Sequence, residues 1–122
     1  MPCAGANSIA TITTHVLGSE AETLQSVSGI DSLRDRAAEF AMGDQTPEAL
    51  MGQLGSADRV LTSCAPALTA ERLAAWTTLP TLPASEARPG MTWLIGNLGH
   101  AREHMGHIAI TRQLYEEARP SY

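Results

Sequence analysis

The stretch from Thr92 to Ala118 constrains the fold most, because apolar residues recur in it every three or four positions. This spacing predicts one long amphipathic helix, which Thr92 caps and which ends near Ala118, before Pro120. Such a helix must cover its apolar stripe with other elements. The stripe consists of Leu94, Leu98, Ala101, Met105, Ile108 and Tyr115.

Three of the four histidines in the chain, His100, His104 and His107, fall within eight residues of this helix. They lie within an arc of roughly 60°, because residues three and four apart share one helix face. Two imidazoles one turn apart can bind a single metal ion. The spacing alone is a weak motif, and polar side chains at the edge of a bundle would explain it equally well.

Three neighbours of these histidines bear on the two alternatives. Glu103 projects about 60° to the side of His100, as positions on a helix are 100° apart, so it is expected to be a surface charge or to support a ligand. Gly99 and Gly106 each weaken a helix by roughly 1 kcal/mol relative to alanine. This cost indicates close approach of a ligand or another backbone, and so favours a site.

The fourth histidine, His15, lies on a predicted first helix from Ser8 to Ser28, which Asn7 or Ser8 caps and Gly29 ends. His15 falls near the inward side of this helix. A single histidine there is more often a hydrogen-bonded residue at the edge of a core than a ligand.

A connection with a short helical piece is expected from Ile30 to Gln45, with Arg34–Arg36 and Glu39 as solvated charges and Phe40 packed. Thr46, Pro47 and Glu48 then predict a helix start. This helix is expected to end near Pro66 or Leu68, and its Cys64 is expected to be buried. Its apolar seam is typical of an antiparallel bundle and consists of Leu50, Leu54, Ala57, Leu61, Cys64 and Leu68.

The remaining segments contribute little regular structure. Thr69–Trp76 predicts a short capped turn, and Leu79–Gly90, which contains three prolines, predicts a long surface loop. No segment shows strand alternation. We therefore expect an all-α, up-down helical bundle with three long helices, in a single domain over residues 1–122.

Composition excludes some partners. The net charge of −5 and only 8 Lys and Arg, which are not clustered, argue against binding to nucleic acid or an anionic membrane. No apolar run approaches the ~20 residues of a membrane span, and the first residues lack the pattern of a signal peptide. A cytoplasmic location is the expectation. Cys3 and Cys64 form no CxxC motif.

Two segments carry a resemblance to a known family: Thr14-His15-Val16-Leu17-Gly18-Ser19-Glu20 and Leu98-Gly99-His100-Ala101-Arg102-Glu103-His104-Met105-Gly106-His107-Ile108. They resemble the metal-binding helices of the DinB/YfiT-like four-helix bundles, some of which are thiol-dependent transferases or mycothiol-dependent maleylpyruvate isomerases. Arg34-Asp35-Arg36 with Glu39-Phe40, and the helix start Thr46-Pro47-Glu48, resemble the actinobacterial type, so the resemblance covers nearly the whole chain. The resemblance implies a three-histidine metal site made of His15, His100 and His104. His107 would support a ligand or contact substrate.

The resemblance also implies a divalent transition metal, with Zn, Ni, Mn and Fe all compatible with the ligands. The expected activity is a metal-dependent transfer to or from a low-molecular-weight thiol such as mycothiol or bacillithiol, or an isomerisation that uses one. The alternative is a non-catalytic, stress-associated bundle in which the ion is structural. A weaker alternative is an interaction module that has lost the site.

The chain departs from the family at its start, because only 14 residues precede His15, where family members have a full first helix. Either the sequence is shortened at its start, or the protein is a variant with three long helices. In the second case an apolar groove between helices would lie open, so we expect a homodimer that buries it. The walls of a small-molecule pocket would come from Leu79–Gly90, Trp76 and Trp93. Tryptophans in such positions are more often anchors of the core or the loop than platforms for a substrate.

Overall fold

The computed structural model describes residues 8–43 and 45–120, and within them the fold is all-α apart from one short strand pair. Strands β1 (Trp76–Thr77) and β2 (Arg88–Pro89) pair antiparallel, and are too short for alternation to reveal them. Cys3 and Asn7 lie outside the described residues. The helices are α1 (Ile9–Ser28), α2 (Arg36–Ala41), α3 (Pro47–Cys64), α4 (Ala70–Ala74) and α5 (Gly90–Ala118).

The predicted capping residues of the first two long helices are confirmed. Ser8 Oγ accepts a hydrogen bond from the Thr11 amide at 3.1 Å, and Thr46 Oγ1 accepts one from the Ala49 amide at 3.1 Å. Gly29 ends α1 with φ of 77°, a left-handed conformation that glycine adopts without strain.

The predicted start of α5 at Thr92 is wrong. The helix begins at Gly90, after Pro89, and no side chain caps it. The Gly90 amide donates instead to the Ala75 carbonyl at 2.9 Å, so the chain enters the helix directly from the strand pair. A Cβ atom at Gly90 would approach Val27 Cγ1 to 2.7 Å, which makes glycine the residue that fits there.

Helix α1 is the central element, since it packs along both α3 and α5. Val27, Leu79 and Trp93 form a buried cluster beside α4, and the Trp93 indole N–H donates to the Thr77 carbonyl at 2.7 Å. Cys64 is buried, as predicted. Trp76 is not an anchor, because 72% of it is exposed.

The apolar stripe predicted for α5 is only partly covered within the described residues. Leu94, Ala101 and Ile108 are half-buried, whereas Leu98 and Met105 are more than 60% exposed. The reason is the rotation of α5, which directs Asn97 and the first histidines of the helix toward α1. Exposed apolar side chains on α3 and α5 include Met51, Leu54, Leu61, Ile95, Leu98, Met105, Ile110, Leu114 and Tyr115.

None of the helices in the described part of the chain combines the length and the apolar character that are needed to cross a bilayer.

Candidate metal centre

Three imidazoles meet between α1 and α5. His100 Nε2 lies 3.4 Å from His15 Nε2 and 3.0 Å from His104 Nε2. One ring nitrogen from each histidine lies within 4.8 Å of the other two. The structure therefore brings together the three residues that the resemblance implies as ligands. The spacing of His100 and His104 along one turn of α5, and the position of His15 on the α1 face that packs against α5, produce this convergence.

The surroundings favour neutral imidazoles. Burial, and then the positive charge of Arg34, lower the pKa of His15 below its ordinary value. Burial, and then the neighbouring His104, lower the pKa of His100. The neutral ring is the form that can bind a transition metal, because the proton must leave the ligating nitrogen.

His15 is the most enclosed of the three ligand candidates, with 6% exposure. Its ring centroid lies 5.1 Å from that of Phe40, so the packing predicted for this phenylalanine is found against the candidate site, although Phe40 is itself 41% exposed. On the far side of the ring, Nδ1 faces Arg34 Nη2 at 3.1 Å and Glu39 Oε1 at 3.5 Å.

These two neighbours correspond to two tautomers of His15. If Nδ1 has no proton, Arg34 donates to it and Nε2 carries the hydrogen. If Nδ1 is protonated, the Glu39 carboxylate is the acceptor within reach, and the lone pair of Nε2 faces His100. Only the second tautomer can bind a metal through Nε2. In it, Nδ1–H would donate to Glu39, as is common for metal-binding histidines, in place of the contact with Arg34 at 3.1 Å.

The prediction that Arg34 and Glu39 are solvated is wrong. The Arg34 side chain is 8% exposed and that of Glu39 10% exposed. The guanidinium donates to both Glu39 carboxylate oxygens, at 2.8 and 2.9 Å, and to Glu22 Oε1 at 3.2 Å. Glu22 is 1% exposed and also accepts from the amide and the hydroxyl of Thr81. These buried charges are tolerated because they are paired and hydrogen-bonded.

Glycines have a different role here from the one predicted. A Cβ atom at Gly18 on α1 would overlap the Glu39 carboxylate, so this glycine allows Glu39 to approach His15. Gly99 and Gly106 have open space around the position of a Cβ atom, so no backbone among the described residues approaches them closely, and the approach of a ligand at these two positions stays a prediction.

His107 and Glu103 occupy different surroundings. His107 Nδ1 lies 3.3 Å from Nδ1 of His104, on the side of that ring that faces away from His100. His107 Nδ1 can therefore accept a hydrogen bond from Nδ1–H of His104, in the tautomer whose Nε2 is unprotonated. Glu103 is exposed and makes no hydrogen bond to a histidine within the described residues.

A cavity of about 340 Å³ opens beside the three imidazoles, and both His15 and His100 line it. Leu79, Thr81 and Trp93 form part of its wall, as predicted for the loop and for Trp93, whereas Trp76 does not contribute. A volume of this size accommodates a small molecule. The arrangement can thus bind an ion through three nitrogens and offer a ligand access to it.

The sequence did not predict the buried network in which Arg34, between α1 and α2, pairs with Glu22 on α1 and Glu39 on α2. The dense run of charges around Asp35, followed by the only phenylalanine of the chain, was the available signal. Comparison of the chain with protein-family models, with curated proteins and with solved structures finds no match.

Proposed function

We propose that His15, His100 and His104 bind one divalent transition-metal ion, such as Zn, Ni, Mn or Fe. The convergence of three ring nitrogens within 4.8 Å supports this proposal. The three residues fit an ion well, because their nitrogens face one another, while Glu39 and His107 stand behind two of the rings. Three protein nitrogens also leave coordination positions for an external ligand.

The proposed activity is a metal-dependent transfer or isomerisation that involves a low-molecular-weight thiol, in a bundle of the DinB-like type. When bound, the ion polarises a substrate and favours the deprotonated form of water or a thiol. In the protein, His15 and His100 line the cavity at the site, and Leu79 and Trp93 form an apolar part of its wall. The access through this cavity favours a catalytic role.

A structural ion is the second candidate. It would join α1 to α5 through residues 85 positions apart in sequence, and the folded state would gain stability by mass action. The large fraction of apolar surface that remains exposed on α3 and α5 makes such stabilisation useful.

Elemental analysis of protein purified without chelator or affinity tag tests the metal site. We expect about one equivalent of metal in the wild type and almost none in His100→Ala and His104→Ala, with Gln113→Ala, at an exposed position of α5, as the matched control. Unchanged metal content in both histidine variants would contradict the proposal.

The cobalt-substituted protein separates the two roles. If the ion is accessible, addition of 2-mercaptoethanol or azide shifts the visible absorption spectrum of the cobalt form. A spectrum that neither probe changes would assign the ion to a structural role.

The proposal includes a homodimer. Its support is the row of exposed apolar side chains on α5, of which Leu98 and Met105 are each more than 60% exposed. Large apolar side chains exposed on one helix are typical of an interaction surface, and a second copy is the simplest cover.

A further inference from the structure

The cavity beside the three imidazoles is positively charged, although the chain carries a net charge of −5. Three arginines, Arg34, Arg36 and Arg88, line it, and the acidic side chain among the lining residues is Glu22. Glu22 is only 1% exposed, and its carboxylate is paired with Arg34 and hydrogen-bonded to Thr81. It therefore contributes little negative charge to the cavity.

The three arginines differ in whether a carboxylate of the described residues pairs with them. Arg34 is paired with both Glu22 and Glu39. Within the described residues, Arg36 and Arg88 make no ion pair with a carboxylate, and both are exposed. Arg36 and Arg88 thus line a cavity of about 340 Å³, and no carboxylate of the described residues neutralises them. In a chain with only 8 Lys and Arg, the placement of two of them at one cavity indicates recognition of an anion.

Aromatic rings support both groups. The Arg88 guanidinium carbon lies 5.2 Å from the centroid of the Trp93 ring, and that of Arg36 lies 5.8 Å from the Phe40 ring. Trp93 is itself buried and hydrogen-bonded to the Thr77 carbonyl. A guanidinium that rests on a ring loses less freedom when it binds, and its N–H groups remain available for two parallel hydrogen bonds to a carboxylate.

We propose that this cavity binds a small carboxylate-bearing molecule, with Arg36 and Arg88 on the carboxylate and the rest of the molecule next to His15 and His100. The position of the ligand beside a metal rests on the proposed function, whereas binding of the anion by the two arginines does not. The segment from Leu79 to Arg88 forms part of the cavity wall, and a volume of about 340 Å³ fits a small molecule better than an extended polymer.

Calorimetry on the metal-free protein tests the inference without relying on the metal. Succinate is the anionic probe, and its uncharged analogue succinamide is the control for shape. We expect millimolar or tighter binding of succinate and at least tenfold weaker binding of succinamide, because hydrogen bonds between charged partners contribute most of the affinity. Equal binding of the two probes, or no binding of succinate, would overturn the inference.

Substitution of each arginine tests whether Arg36 and Arg88 bind the carboxylate. Arg36→Gln and Arg88→Gln should each weaken succinate binding by roughly tenfold. Arg59→Gln is the matched control, because Arg59 is exposed on α3 and does not line the cavity. Circular dichroism establishes that each variant is folded. Affinity that is unchanged in both cavity variants would refute the assignment, whatever the metal content of the protein proves to be.

Discussion

His104 Nδ1 lies 3.3 Å from Nδ1 of His107, while Nε2 of the same ring faces His100 at 3.0 Å. His107 thus stands behind a proposed ligand. We expect His107→Ala to weaken metal affinity by about 10- to 100-fold while the protein still binds one ion. Competition with a chelator of known affinity measures this change. Gln113→Ala, at an exposed position of the same helix, should leave the affinity unchanged, and the reverse order of effects would contradict the role of His107.

Glu39 is expected to select the metal-binding tautomer of His15, since its Oε1 lies 3.5 Å from Nδ1. Glu39→Gln should lower metal affinity by about tenfold, because the amide is a weaker acceptor than the carboxylate. The same chelator competition gives the affinity. Glu48→Gln, at an exposed position in the first turn of α3, serves as the control. A Glu39→Gln protein that binds metal as tightly as the control would exclude this role.

Arg34 neutralises the charges of two largely buried carboxylates, so its substitution should destabilise the fold. In Arg34→Met, Glu22 and Glu39 remain largely buried without their cation, so we expect the free energy of unfolding to fall by about 3–5 kcal/mol. Urea denaturation of the metal-free protein measures it. The matched Arg112→Met variant breaks an ion pair whose side chains are 73% and 55% exposed, and should cost about 0.5 kcal/mol or less. Similar losses in the two variants would be inconsistent with a buried network.

The stability of the metal-free protein should depend on pH through His15 and His100. Their pKa values are lowered from 6.5 in the folded state, so the folded state binds fewer protons than the unfolded state. Their contribution is fully present above about pH 6.5 and is lost as the pH falls through the lowered values. We expect the free energy of unfolding to decrease between about pH 7.5 and pH 5.5.

A Glu20→Gln background removes an opposing effect from this measurement. Burial, and then the charge of Asp58, raise the pKa of Glu20, so its contribution grows as the pH falls. In that background, the additional change His100→Gln should flatten the pH profile in urea unfolding. If the free energy of unfolding of the Glu20→Gln protein instead increased as the pH falls, the imidazoles would not control the pH dependence of stability.

The exposed apolar surface of α5 predicts self-association. Light scattering at micromolar concentration should give twice the mass of the chain, and the double variant Leu98→Ser/Met105→Ser should give the mass of one chain. Both side chains are more than 60% exposed, so the substitutions leave the core in place. Glu48→Ser is the polar control. A monomeric wild-type protein would remove the homodimer from the proposal.

The parts of the fold that could be predicted from the sequence are the helices whose apolar residues recur at regular spacing. The bounds of α1 and the end of α5 follow from apolar spacing and from the capping residues, which are local signals. The start of α5 at Gly90 depends on the hydrogen bond to Ala75 and on contact with Val27, neither of which is local. This is why a favourable capping residue at Thr92 misled the prediction.

In the candidate site, too, the features set by local spacing were predictable and those set by contacts between distant segments were not. His100 and His104 are one turn apart, so their proximity was predictable, and the resemblance supplied His15. The structure brings the three together, and their role as ligands stays a prediction. Arg34 and Glu39 could not be placed, because the connection that carries them has no period and its charges pair with α1, on a different element.

The contact between His15 and His100 joins positions 85 residues apart, and the segment around Pro83 lies within the loop of chain that this contact closes. A single backbone cut in that segment would leave two fragments, one with His15 and the other with His100 and His104. Neither fragment alone holds the three histidines. Reassembly of the two pieces would therefore be promoted by any ion that all three bind, and the protein could be divided there into a pair of metal-responsive halves.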